Sequence, residues 1–277
     1  MKTYALKIFS VLLVCFLFQK CQIDNEKQAP VLPPESSMVA DFSALSKAPQ
    51  KSFSLDTISF MNYAAAYWTV AIWNTILTVN LAVPVLAFRE SFNHQATYND
   101  SLDAWQWKYS VKTTEFVLAK LKIDTIIYTA NLQGKVLDDS IDWKMYLTKT
   151  SGNSPFNNFL WYYGKSSIKT KGGWWIMNER PANPQKFLSI IWSRQNDSIG
   201  MIKYTNIRPN STGGYLEYGT QLPDVNNMNA YYNVMDTVNN KTIEIRVNLK
   251  TKAGRIKKIN ETKWSCWDSQ FHDITCE

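Results

Sequence analysis

The hydrophobic pattern of this chain changes period once along its length. From residue 60 to residue 88 there is no charged side chain, and small or apolar types dominate, among them Ala64, Ala65, Ala66, Trp68, Val70, Ile72, Trp73, Ile76, Leu77, Val79, Leu81 and Val83. At about 100° per residue, Asn62, Thr69 and Asn80 share one line while Asn74 and Thr78 lie on another, so no single polar face emerges. A helix that is apolar nearly all round is expected to be buried inside a fold, with Pro84 ending or kinking it. Length alone would also allow a membrane span, and Thr, Val and Trp suit strands as well. The amides and hydroxyls between residues 62 and 80 weigh toward the buried helix.

Downstream, alternation with period two takes over. Trp105, Trp107, Tyr109 and Val111 alternate with Gln106, Lys108 and Ser110; Ile141, Trp143, Met145 and Leu147 alternate with Asp142, Lys144, Tyr146 and Thr148; Ile243, Ile245, Val247 and Leu249 alternate with Thr242, Glu244, Arg246 and Asn248. Each pattern is that of a half-buried strand. Less regular segments at 116–131, 158–167, 174–177, 187–194, 199–208, 215–221 and 230–236 bring the expectation to about ten strands. Gly152-Asn153, Gly172-Gly173, Asn196-Asp197, Gly213-Gly214 and Asn239-Asn240 read as the turns between them. The expected class is therefore α+β, mainly antiparallel β: a wide, curved meander sheet or incomplete barrel, its apolar face covered by the uncharged helix. The globular domain is placed at 39–277, with the helical segment at 56–92, the meander at 102–264 and a C-terminal cap at 264–277.

The first residues carry a different signal. Lys2 and Lys7 form a short basic end, residues 8–18 are an uncharged apolar run, and Cys21 follows closely. A run so short falls below the roughly 20 residues that a spanning helix needs and suits a signal peptide, here 1–20. This start resembles bacterial lipoprotein precursors, whose signal peptidase cuts before a cysteine that then receives acyl chains. Lys20 stands where such precursors place a small residue. The resemblance implies lipid attachment at Cys21, membrane association through that lipid, and an address in the cell envelope, outer membrane before soluble periplasm or medium. A merely secreted product is the alternative. Residues 21–38, with Pro30, Pro33 and Pro34, are then expected to form an unpacked tether.

Charge adds little. Without Lys2, Lys7 and Lys20, Lys+Arg falls from 30 to 27 against 23 acidic residues, a net of +4, which is too mild and too scattered to point to nucleic acid. Of the four cysteines, Cys15 and Cys21 belong to the signal region, while Cys266 and Cys276 form a pair at the C-terminus. In an oxidising compartment that pair is expected to be a disulfide. A metal site with His272 is the weaker alternative, since zinc sites use tighter pairs and a fourth ligand.

Catalytic chemistry is sparse. Only His94 and His272 occur, and the chain has neither a Gly-x-Ser-x-Gly elbow nor a phosphate-cradling glycine motif. Asp138, Asp139, Glu179 and Glu217 are the acids from which a glycosidase-like pair could be drawn. No cofactor and no metal are expected. Eleven tryptophans instead suggest an aromatic sheet face, with Trp105, Trp107, Trp143, Trp161 and Trp192 as candidate contacts for a lipid or other hydrophobic small molecule. In outline such an architecture is similar to the half-barrel-plus-helix folds of bacterial lipoprotein carriers and their outer-membrane receptor. The expectation is a non-enzymatic envelope lipoprotein that binds an apolar or amphipathic ligand. The alternatives are a displayed module that binds protein or glycan, to which the cluster Trp264, Cys266, Trp267, Asp268, His272, Asp273 and Cys276 could contribute, and, more remotely, a glycan hydrolase.

Overall fold

The computed structural model describes residues 27–47, 59–117, 120–169, 171–195, 198–211, 213–220 and 227–276. The signal segment 1–20 and Cys21 lie outside the described residues. One long helix, α1 (Met61–Glu90), precedes an antiparallel sheet. The strands are β1 (Thr97–Asn99), β2 (Ala104–Val117), β3 (Lys122–Val136), β4 (Ser140–Lys149), β5 (Phe156–Ser167), β6 (Gly172–Arg180) and β7 (Asn183–Gln195). They continue as β8 (Ser198–Asn206), β9 (Tyr215–Thr220), β10 (Ala230–Asp236), β11 (Lys241–Val247), β12 (Gly254–Lys257), β13 (Ser265–Trp267) and β14 (Asp273–Ile274).

All fourteen strands pair in sequence order, and β14 does not return to β1, so the sheet is an open meander. The expected ten strands are all present; the four additional ones are β1, β12, β13 and β14, each of two to four residues and formed at the ends of the sheet. Such short pieces carry too few residues for an alternation to register. Gly172-Gly173, expected as a turn, instead begins β6, whereas Gly213 sits in the β8–β9 connection with φ of 103°.

One face of the sheet is apolar because the register aligns every inward position. A continuous row runs Trp107, Leu132, Met145, Tyr162, Met177 and Leu188 through directly paired residues of β2 to β7. Bulky indoles fit beside one another because glycines stand opposite them: Gly134 faces Trp143, Gly164 faces Trp175, Gly173 faces Trp192 and Gly254 faces Trp267. A Cβ on Gly164 would lie 2.1 Å from the Trp174 carbonyl oxygen and 2.5 Å from the Trp175 ring. Glycine in a strand here marks close approach rather than flexibility.

The inner face is covered by two elements, both in contact with it. Residues 27–45, the second half of which begins the expected globular domain, run directly across it. Residues 27–38 are therefore packed, contrary to the expected free tether: Pro33, Ser37 and Met38 are buried and Ala29 and Leu32 pack on the core. An irregular segment in such a place needs partners for its backbone groups. Aromatic side chains supply them. The Tyr204 hydroxyl accepts from Ala40 N–H at 2.7 Å and donates to the Met38 carbonyl at 3.0 Å, Tyr232 donates to the Asp41 carbonyl, and the Trp175 indole donates to Ser37 Oγ. Replacing Tyr204 by phenylalanine leaves two buried backbone groups unpaired, for an expected loss of about 1–3 kcal/mol. The check is a denaturant midpoint shift at unchanged slope; a variant as stable as the parent would contradict the role assigned to the hydroxyl.

Beside this segment α1 packs on the sheet and bridges its two ends. Its first turn is capped from β14, where the Asp273 carboxylate accepts from Met61 N–H at 3.1 Å and Asn62 N–H at 2.9 Å. Asn62 also donates to the Cys266 carbonyl, and Tyr63 packs against Trp267 and Phe271. At the other end the Tyr109 hydroxyl of β2 donates to the Ala87 carbonyl, and Phe88 meets Trp175 and Tyr162. Cys266 and Cys276 are joined by a disulfide, as the spacing suggested.

Two expectations for the helix are corrected. The ending expected at Pro84 does not occur, since the helix continues to Glu90 with Pro84 buried. It is also not enclosed on all sides. Tyr63, Ala66, Val70, Leu77, Leu81, Pro84, Ala87 and Phe88 form the buried stripe, while Trp68 is 59% exposed and Val79 is 73% exposed. The open sheet offers one surface, so a helix lying across it can bury only one side.

Candidate functional site

The second row from the central one, beyond Trp143, Gly164, Trp175 and Ile190, determines where the face stays hollow. It runs Ile141, Ser166, Gly173 and Trp192 across β4 to β7, each directly opposite the next. The Trp192 ring takes the space over Gly173, and the small Ser166 side chain beside Ile141 leaves the rest of the row unfilled. The result is a cavity of about 520 Å³ with Ile141, Ser166 and Trp192 on its sheet side. Residues 28–34 form its other wall, and Ile168, Lys171 and Arg194 also border it. Three prolines suit that wall, because Pro30, Pro33 and Pro34 cross the face without adding N–H groups that need partners. The volume is within the range of small-molecule sites, roughly 300–1,000 Å³.

The cavity is apolar with a small number of polar groups. Trp192 is buried, and its indole N–H has no hydrogen-bond partner. Ser166 Oγ is taken, accepting from the Trp143 indole at 2.8 Å. Lys171 and Arg194 bring positive charge to the border. Elsewhere the inner face carries a buried ion pair, Lys149 with Glu115 at 2.7 Å, and burial pushes the phenols of Tyr109, Tyr204 and Tyr232 further above their ordinary value of 10.0. An apolar body with an anionic end matches this lining: the chain packs on Ile141 and the indole, and the anion meets the positive border of Lys171 and Arg194.

Of the five candidate tryptophans, the structure brings one to this cavity. Trp107 and Trp143 are buried against each other, with ring centroids 5.7 Å apart, and serve the core. Trp105 is half-buried, stacks edge-on with Tyr98 and borders a second hollow of about 310 Å³ near Lys27. Trp161 sits in a separate cluster with Phe156 and Phe159. Trp192 alone lines the large cavity. Ser166, Lys171 and Arg194 were not candidates; only the register of β4 to β7 assembles them.

The other chemistry-bearing residues are engaged in ways that hold structure. His94 lies within 3.2 Å of Glu90 and stacks on Tyr109. Glu179 accepts from Gln185, Asn183 and Arg208, and the Gln185 hydrogen bond leads the effects that hold its carboxyl below the usual range. Glu217 accepts from Tyr231, and Asp139 pairs with Lys169. Among the described residues no three His, Cys, Asp or Glu side chains come together as a metal-binding group. At the C-terminus the ring of Trp264 is crowded by Arg255 at 4.6 Å and Lys257 at 4.7 Å. Asp273 caps α1. No family model, curated protein or solved structure matches this chain, so the cavity stands on its own geometry.

Proposed function

We propose that this protein is an exported, non-enzymatic envelope protein, held at a membrane by a lipid on Cys21, that binds an amphipathic ligand in the cavity between residues 28–34 and the inner sheet face. The observation that carries the proposal is the hollow beside Ile141, Ser166 and the Trp192 ring, with Lys171 and Arg194 at its border. A disulfide between Cys266 and Cys276 suits an oxidising compartment and so accords with export. The proline-bearing wall is the part best suited to move for entry, because it has no strand pairing to break.

Native mass spectrometry of the full-length product purified from an exporting host tests both parts. An acylated N-terminus and a co-purifying adduct of a few hundred daltons are expected. After ligand removal, a long-chain fatty acid should bind and change the tryptophan emission. Val136→Trp, at a half-exposed position on the cavity border, is expected to weaken that binding about tenfold while leaving the fold intact. Absence of any adduct together with fatty-acid binding indifferent to Val136→Trp would sink the ligand proposal.

A further inference from the structure

The side of α1 turned away from the core carries no charge from residue 60 to residue 88, and only Ala65 and Leu86 along it reach the core. Met61, Ala65, Trp68, Ile72, Thr75, Val79, Ala82 and Leu86 recur at alternating spacings of four and three and so form one line along the helix. Met61, Trp68, Ile72, Ile76 and Val79 are large apolar residues exposed on that side. Only 28% of the most apolar stretch of α1 is buried, and α1 is the one described helix long and apolar enough to cross a membrane. It cannot do so in this fold, because its opposite side is packed on the sheet and both its ends are fastened to strands. The stripe leads sideways into an apolar groove of about 210 Å³ between Leu77, Leu81 and Val85 of α1 and Val39 and Phe42 of the inner segment, with Arg89 at its edge.

We infer that the outer side of α1 lies in the membrane–water interface, with Trp68, Ile72 and Val79 among the acyl chains and the adjoining groove receiving a lipid tail. Three observations favour a bilayer surface over a second copy of this chain. No charged residue flanks the stripe from 60 to 88, whereas a helix pair in water uses charged flanks to set its register and a protein interface has a polar rim. A mainly apolar groove of about 210 Å³ adjoins the stripe at Ala82. Finally, Cys21 precedes Lys27 by six residues, a reach of about 20 Å, and the Lys27 ammonium sits 3.8 Å over the ring of Tyr98 in β1, which follows the C-terminal end of α1. Lys27, the first described residue, therefore stands beside one end of the stripe, within that reach of Cys21. A net charge of +4 beyond residue 20 adds attraction to anionic headgroups. The last two points rest on the proposed export and anchoring; the exposed stripe and groove do not.

The test places an environment-sensitive nitrobenzoxadiazole label at Val79→Cys and, separately, at Lys108→Cys on the outer side of the sheet, in the full-length product from the exporting host. Vesicles of phosphatidylethanolamine and phosphatidylglycerol are added, with and without brominated acyl chains. Expected are a blue shift and quenching by brominated lipid at position 79 and no change at 108. Adding Ile72→Glu should cut the inserted fraction reported at 79 about tenfold. If the protein floats with vesicles while the label at 79 stays in water, the inference fails and the anchor stands. An N-terminus without acyl chains, together with insertion at 79, removes the anchor and keeps the inference. A blue shift at 79 without vesicles, growing with protein concentration, assigns the stripe to a second copy and overturns the bilayer.

Discussion

Replacing Trp175 by alanine is expected to lower stability by about 3–5 kcal/mol, the largest effect of any single side chain in this fold. Trp175 is fully buried at the centre of the inner face, opposite Gly164, with its ring 5.7 Å from Phe88 and 5.4 Å from Tyr162. Its truncation opens a cavity beneath α1 that the neighbouring glycine cannot fill. It also frees Ser37 Oγ, so the inner segment loses a tie to β6. The expected signature is a large fall in denaturant midpoint, accompanied by faster amide exchange across residues 29–45 than across β2 and β3. A loss below about 1 kcal/mol would mean that the helix and inner segment are not held through this indole.

Removing the disulfide by Cys266→Ser with Cys276→Ser is the second large effect, about 2–3 kcal/mol from loop entropy for a sequence separation of 10. The consequence reaches beyond the C-terminus. β13 and β14 pair through only two registered positions, and β14 carries the Asp273 carboxylate that caps α1. Loosening that pair exposes the first N–H groups of a long helix, each otherwise satisfied by the cap. Amide exchange should therefore rise at Met61 and Asn62 as well as at Trp267. A reduced protein with unchanged protection at the start of α1 would separate the bridge from the clasp.

Much of this architecture was legible in the chain. The alternations at 105–111, 141–147 and 243–249 became β2, β4 and β11, with Trp107, Trp143 and Ile245 inward as the pattern required. The uncharged stretch became α1. Period and charge are local properties, so each could be read without knowing the neighbours. What failed depended on neighbours. Gly172-Gly173 looked like a turn because two glycines usually serve one, yet here Gly173 makes room for the Trp192 ring two strands' worth of sequence later. The segment 27–38 looked unpacked because it lacks period, and its burial depends on the Tyr204 hydroxyl and the Trp175 indole, far along the chain.

The cavity shows the same division. Its tryptophan was a candidate, but Trp105, Trp107, Trp143 and Trp161 were equally qualified by residue type. Ser166 and Gly173 are unremarkable until register sets them side by side between Ile141 and Trp192.

By itself, the sequence determined the class of the fold, the apolar and polar sides of its longer strands, the extent of the uncharged helix and the pairing of its last two cysteines. These follow from side-chain chemistry and its phase along a strand or helix, both fixed within a few residues. The tertiary structure alone decided which side of that helix is left bare, where the sheet stays hollow and what caps the helix, because each depends on residues brought face to face from distant parts of the chain.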